Sequence, residues 1–235
     1  MDTDVNSPIG GYPVTSVYYD TAALRFYWEK IEGLRFRRKL RVRLYGTSDG
    51  IGEDSQVFVE IKQRVNRVTQ KRRIRVSYED ALALCAGTDI DCDATARPFV
   101  DEVRSLVGNL DLRPTVTTGY LREAYVGRDA DLGLRVTIDH RVHGRDRDFH
   151  LGAQAENRFI IPPHLCILEI KANERVPYWV TDMTARMDMS VVRVSKYCQS
   201  IESFGMAPRS LQHTPEKLLG YLSATPAELQ TIGPS

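Results

Sequence analysis

Arg37-Arg38-Lys39-Leu40-Arg41-Val42-Arg43-Leu44-Tyr45 places Arg37, Lys39, Arg41 and Arg43 on one side of an extended chain and Leu40, Val42 and Leu44 on the other. Successive strand side chains point to opposite faces, so this is a strand with one cationic and one apolar face, broken only by Arg38. Gln56–Val65 repeats the pattern, with Phe58, Glu60, Lys62 and Arg64 against Val57, Val59, Ile61 and Val65. After a turn at Asn66, Lys71, Arg73 and Arg75 alternate with Ile74 and Val76. Short connections join the three segments, which predicts an antiparallel meander.

Working outward, Ser16–Tyr19 is a short candidate strand, and Asp20-Thr21 is expected to cap a helix that ends at Gly33. Tyr78–Gly87 and Pro98–Val107 read as helices, the second with proline in its first turn and Gly108 after it. Further strands are expected at Thr115–Val126, Leu134–His140 and Cys166–Ala172, then a helix at Pro177–Met189, a strand at Val191–Val194 and a helix at Ser195–Phe204. The expected organisation is one domain over residues 12–204 and a partly disordered tail over 205–235, with one helix at Pro215–Leu222. The fold class is α+β, with an antiparallel sheet and flanking helices. Trp28 and Trp179 are expected in the core, and Tyr18 and Tyr19 as packing groups.

The formal net charge of the 235 residues is only +1, but it is unevenly distributed. Arg35–Arg75 carries thirteen Lys or Arg against four acids, whereas Val76–Leu112 carries eight acids against two arginines. No apolar run reaches the ~20 residues of a membrane helix, and the N-terminus resembles no signal peptide, so a cytoplasmic location is expected. Cys85, Cys92, Cys166 and Cys198 form no C-x-x-C pair, and the histidines have no metal-site spacing.

Cations two apart on a strand lie ~7 Å from one another and repel by more than ~2 kcal/mol at an effective dielectric near 20. A solvated face tolerates this, but an enclosed one needs anions. Arginine's planar fork suits phosphate oxygens. Single-stranded nucleic acid is disfavoured because few aromatics, Tyr45, Phe58 and Tyr120, interleave the cations. A ligand consisting almost wholly of phosphate fits better, with isolated carboxylates holding a divalent metal.

The runs Ser16-Val17-Tyr18-Tyr19-Asp20-Thr21, Arg38–Gly46, Val59-Glu60-Ile61-Lys62, Leu112–Thr115 with Tyr120–Tyr125, Leu134–Asp139, Leu168-Glu169-Ile170-Lys171 and Val194-Ser195-Lys196-Tyr197-Cys198 resemble, in order, the VTC domain. That is the polyphosphate polymerase domain of the vacuolar transporter chaperone family, one of the CYTH-like triphosphate tunnel metalloenzymes. The resemblance implies a closed antiparallel barrel with a charged interior, and transfer of the ATP γ-phosphate to a polyphosphate chain with Mn²⁺ or Mg²⁺. It implies catalytic roles for Arg41, Arg43, Lys62, Arg122, Arg135 and Lys196. It implies phosphate contacts from Lys39, Arg64, Arg73, Arg75, Tyr120, Lys171 and Arg193, and metal binding by Glu169 and Glu60. Glu60 pairing with Lys62 or a cross-strand arginine is an equal alternative, and Asp139 is expected to cap a strand end. Lys39, Arg64, Lys71, Arg73 and Arg75 belong either in the tunnel or at its rim.

Family members begin with a further Glu-x-Lys strand, whereas Met1–Gly11 holds no Lys or Arg. The expectation is therefore a late start, a partner chain that completes the sheet, or a barrel lacking its first strand. Hydrolysis of a triphosphate, or binding of polyphosphate without catalysis, are the alternative functions.

Overall fold

The computed structural model describes residues 2–3 and 10–207. The expected tail beyond residue 207, with its helix at Pro215–Leu222, lies outside the described residues. Among the described residues nine strands form one antiparallel sheet: β1 (Asp2–Thr3), β2 (Tyr12–Asp20), β3 (Phe36–Tyr45), β4 (Gln56–Val65), β5 (Val68–Ser77), β6 (Arg113–Val126), β7 (Arg135–Arg145), β8 (Arg158–Phe159) and β9 (Ile167–Lys171). The helices are α1 (Arg25–Ile31), α2 (Tyr78–Cys85), α3 (Arg97–Leu110), α4 (Tyr178–Arg186) and α5 (Lys196–Ser203). Strand order is β5-β4-β3-β2-β6-β7-β8. β1 continues the β2 side of β6 through Asp2–Val126 and Thr3–Tyr125, and β9 pairs with Arg135–Asp139 of β7.

The meander forms as the alternation requires, with Lys39 opposite Lys62, Arg41 opposite Glu60 and Arg43 opposite Phe58. Asn66 turns the chain with φ 55°, the left-handed geometry that asparagine tolerates. The apolar faces of β3 and β4 are sealed by α2 and α3: Leu40, Val42, Val57, Val59 and Ile61 pack with Ala81, Leu84, Val100 and Val103, all at most 1% exposed. Each fully buried Leu, Val or Ile side chain contributes roughly 1.5–3 kcal/mol, enough to decide which face turns inward to the helices. Ser77 caps α2 by accepting the Asp80 N–H at 3.0 Å. α3 starts with proline in its first turn and ends on Asp111, whose φ of 49° stops the helix.

The closed barrel expected from the resemblance is not observed. Among the described residues the sheet ends at β5 on one side and at β8 and β9 on the other, and these edges do not pair. β9 is only five residues long, after which the chain leaves the sheet for α4. The result is a curved, open sheet.

Several local expectations also change. Leu24, at φ 56°, rather than Asp20, precedes α1. A turn closed by the Leu24 N–H on the Thr21 carbonyl intervenes, and the Asp20 carboxylate reaches past it to the Phe26 and Tyr27 N–H groups at 2.9 and 3.0 Å. β7 runs on to Arg145 because the irregularity at Arg141, φ 52°, is matched by a register shift between Gly119 and Leu121 of β6. Val191–Val194 finds no strand to pair with and is not a strand. Trp179 is 41% exposed and donates to Asp131 at 2.8 Å, so it is not a core residue.

Candidate functional site: a cationic trough

The concave face of the sheet encloses a cavity of about 2030 Å3. Fifteen lysines and arginines line it, against one carboxylate, Glu169. The strand register sorts the cations into rows. Lys39, Lys62 and Lys71 stand side by side on β3, β4 and β5. Strands ~4.8 Å apart give neighbouring ammoniums a repulsion of roughly 3 kcal/mol at an effective dielectric of 20. Burial, and then Lys39 and Arg41, push the Lys62 ammonium below its ordinary pKa. The next row is Tyr18, Arg41, Glu60 and Arg73.

Glu60 lies beneath the trough floor at 1% exposure. Arg41 holds one of its oxygens with Nε at 2.7 Å and Nη2 at 2.6 Å, and Lys71 holds the other at 2.6 Å. Arg43 and Arg73 stand at 4.0 and 3.8 Å. Burial opposes its charge, but Arg41, Arg43 and Lys71 outweigh that and bring its pKa down to about 2. Between the two readings of Glu60 made from sequence, this geometry is that of a counter-ion.

A second buried carboxylate balances the opposite wall. Asp139, fully buried, takes both Arg122 donors, Nε at 2.6 Å and Nη2 at 2.8 Å, and the Lys196 ammonium at 2.5 Å. Burial works against this carboxylate too, yet Arg122 and Lys196 hold it below the ordinary range. Asp139 lies in mid-strand, so the strand-end cap expected for it is corrected. Its parity with Arg135 on β7 puts it on the same side of the strand as that cavity-lining arginine. The Tyr120 ring lies under both cations, 5.1 Å from the Arg122 guanidinium and 4.5 Å from the Lys196 ammonium.

The Ser195-Lys196-Tyr197 run ties the trough to its end wall. Ser195 caps α5 by accepting the Cys198 N–H, and its hydroxyl also accepts from Lys39 at 2.7 Å. Lys196 reaches Asp139, and the Tyr197 hydroxyl donates to the buried Asp20 that caps α1. Three consecutive residues thus fix α5 to β3, β7 and β2. The lining also includes aliphatic side chains, Ile161, Leu165, Ile167, Val176, Val180, Met189, Val191 and Val194.

The cavity lining includes Arg41, Arg43, Lys62, Arg122, Arg135 and Lys196, together with Lys39, Arg64, Arg73, Tyr120, Lys171 and Arg193. Glu60 is beneath it. Arg75 is placed outside the cavity, where it donates to Gln56 at 3.1 Å. Sequence reading missed Lys30 and Tyr18 as lining groups. Nothing in the local pattern of Lys30 signals the cavity, because α1 reaches the trough only through tertiary packing.

The donor set limits what metal the trough can take. Among the described residues no three His, Cys, Asp or Glu side chains cluster as a metal site would require. Glu60 and Asp139 already have cations on both oxygens. Glu169 is 44% exposed into the cavity, with Lys171 at 3.2 Å from one oxygen. One carboxylate with substrate oxygens and water is an ordinary octahedral magnesium-type site, so Glu169 fits a metal that arrives with a phosphate ligand.

Among the described residues no helix is long and apolar enough to cross a membrane. Two solved proteins are similar in outline. One from Bacillus halodurans is 11% identical, covers 81% of this chain and 82% of its own, and has a TM-score of 0.45. The other, from Pyrococcus horikoshii, is 12% identical, covers 75% of this chain and 72% of its own, and has a TM-score of 0.32. Sequence relatives are more informative. The vacuolar transporter chaperone complex subunit 4 of Trypanosoma cruzi is 27% identical over 233 residues, 84% of this chain and 29% of that protein. The subunit of the same name from Trypanosoma brucei brucei is 25% identical over 236 residues, again 84% and 29%. The chain therefore spans less than a third of the length of these relatives. The VTC domain family pattern matches residues 1–205, which cover every strand and helix described above. The chain belongs to the VTC domain family.

Proposed function

We propose that the trough binds inorganic polyphosphate and the triphosphate of ATP, and transfers the γ-phosphoryl group to the end of the chain. The observation that carries this reading is the lining, fifteen cations to one carboxylate, with arginines in pairs along strands. Phosphoryl transfer asks little covalent chemistry of a protein. It asks that the attacking and leaving oxygens be held in line and that charge on the transferred group be neutralised. Arg41, Arg43 and Lys62 on one wall, and Arg122, Arg135 and Lys196 on the other, supply donors from two directions. Lys39, Arg64, Arg73, Lys171, Arg193 and Tyr120 extend the contact along the chain. Glu169 would hold a Mg²⁺ or Mn²⁺ ion, which when bound neutralises charge between the β- and γ-phosphates. Glu60 and Asp139 keep the arginines ordered in the absence of ligand.

By analogy with the relatives named as complex subunits, the trough works within a multi-chain assembly on the cytoplasmic side, where ATP is available. The open sheet edge specifically favours a second reading, triphosphate hydrolysis, because it gives water access to the site. Incubation with ATP and Mn²⁺, with products resolved on a gel, separates the readings. Long phosphate chains support polymerase, and orthophosphate alone supports hydrolase. Salt-sensitive polyphosphate binding without turnover means a binding module. Glu169→Gln abolishes turnover in the first two cases, and unchanged activity in this variant would refute the metal assignment.

A further inference from the structure

Tyr18, on the central strand β2, lines the cationic cavity although only 5% of it is exposed. Its phenol oxygen accepts a hydrogen bond from Arg41 Nη1 at 3.0 Å. Arginine can only donate, so this bond leaves the phenol's own proton without use. Among the described residues, no hydrogen bond from the Tyr18 hydroxyl to a protein acceptor is present.

The surroundings are strongly cationic. On β3, Lys39, Arg41 and Arg43 all act on Tyr18, and Lys62 on β4 is electrostatically coupled to it. The nearest carboxylate in its row, Glu60, is already held by Arg41 and Lys71. On its own strand, Asp20 is bonded to Tyr197 of α5, whose ring packs 5.1 Å from that of Tyr18. From α1, Tyr27 packs in the same cluster and is bonded to Glu202. On β6, Tyr120 faces Arg122 and Lys196.

We infer that Tyr18 is a proton-linked contact for the bound phosphate chain: its hydroxyl donates to a phosphate oxygen when ligand fills the trough, and gives up that proton to become a counter-anion of Arg41 when it does not. Ligand entry above neutral pH then takes up a proton, since a phosphate anion beside the phenolate repels it and restores the neutral, donating phenol. The chain adds a hydrogen bond and removes a competing anion in one step. Burial alone would raise this phenol, but Arg41, Arg43 and Lys39 prevail and bring it down to about 7. Tyr45 is also lowered, by Arg43 against the effect of burial, so the test must separate the two phenols. Tyr120 is pushed up by burial to about 12 and stays neutral throughout.

The inference rests on the phosphate-trough reading, and the probe is inorganic tripolyphosphate. The near-ultraviolet phenolate absorbance of the intact protein is titrated from pH 6 to 9 with and without saturating tripolyphosphate, for wild type and Tyr18→Phe. Calorimetry in two buffers of different ionisation enthalpy counts the net protons exchanged by wild type and by Tyr18→Phe, and the difference isolates the phenol's proton from those that tripolyphosphate itself releases; the wild-type absorbance titration does not depend on a variant. The expected result is one phenolate near neutral pH that tripolyphosphate removes and Tyr18→Phe lacks, with wild type taking up close to one proton per site more than the variant at pH 8. Wild-type affinity then falls with pH relative to Tyr18→Phe, by up to about tenfold per unit above pH ~7. Equal proton exchange by wild type and a folded Tyr18→Phe protein, or a phenolate signal undiminished in that variant, overturns the inference and leaves the trough reading standing. Failure of tripolyphosphate to bind at low salt overturns both.

Discussion

Glu60→Gln separates a buried counter-ion from a ligand-binding carboxylate, because the two roles predict opposite effects on affinity. The substitution keeps the shape and removes one negative charge from beneath the floor, where Arg41, Arg43, Lys71 and Arg73 converge. The carboxyl falls from an ordinary 4.5 to about 2. At ~1.36 kcal/mol per unit, that difference corresponds to roughly 3 kcal/mol of stability at neutral pH, in the range found when one partner of a buried pair is removed. A depressed carboxyl contributes in full above its unfolded value and loses the contribution as pH falls through its folded value. The deficit of Glu60→Gln is thus expected in full above pH ~4.5, shrinking below it and gone near pH ~2. Affinity moves the other way. A charge removed ~7 Å from the phosphates at an effective dielectric of 20–40 changes binding by ~1–2 kcal/mol, or about tenfold. Urea denaturation at pH 7 and pH 3 measures the first effect, and titration with tripolyphosphate at two salt concentrations measures the second. Undiminished stability at pH 7, or weakened tripolyphosphate binding by a folded variant, would refute the counter-ion assignment.

Asp139→Asn leaves Arg122 and Lys196 without their shared carboxylate and should cost roughly 3–5 kcal/mol, read from the denaturation midpoint. Ser195→Ala removes the cap of α5 and the Lys39 contact. A loss of about 1 kcal/mol is expected in thermal melts, and an unchanged melting temperature would remove the cap from the account. Tyr197→Phe deprives the buried Asp20 of its donor from α5 and should cost ~1–3 kcal/mol by urea denaturation. Arg75→Ala, at a residue outside the cavity, should leave tripolyphosphate affinity within about twofold, whereas Arg73→Ala weakens it and flattens its salt dependence.

The meander was legible because two independent requirements coincide there. β3 and β4 each need one face dry against α2 and α3, and the register that buries Leu40, Val42, Val59 and Ile61 aligns the cations on the other face. The concavity of that face was not legible, since alternation distinguishes two faces and says nothing of which way a sheet curves. Family resemblance supplied the curvature, and with it a closure that the five-residue β9 does not make. Helix ends were read well where a side chain caps its own helix, as Ser77 and Ser195 do. They were misread where capping is at long range, as with Asp20 and α1. The counter-ions were the hardest to recognise. Pairing of Glu60 with a cross-strand arginine was already an even reading, but the particular cations that hold Glu60 and Asp139 were not legible, because they stand on the neighbouring strands and on α5, up to 57 residues away.

If the trough binds polyphosphate as proposed, the edges of β5 and β9, which do not pair with each other among the described residues, determine how a long polymer can enter. A closed tunnel admits a chain only by an end, so its encounter rate counts molecules. A trough open along one side can receive a chain from its middle, and the encounter rate then grows with the number of phosphate units in each molecule. Under the proposed function, capture from the middle and extension at an end would be separate events, joined by sliding of the chain along the cationic rows.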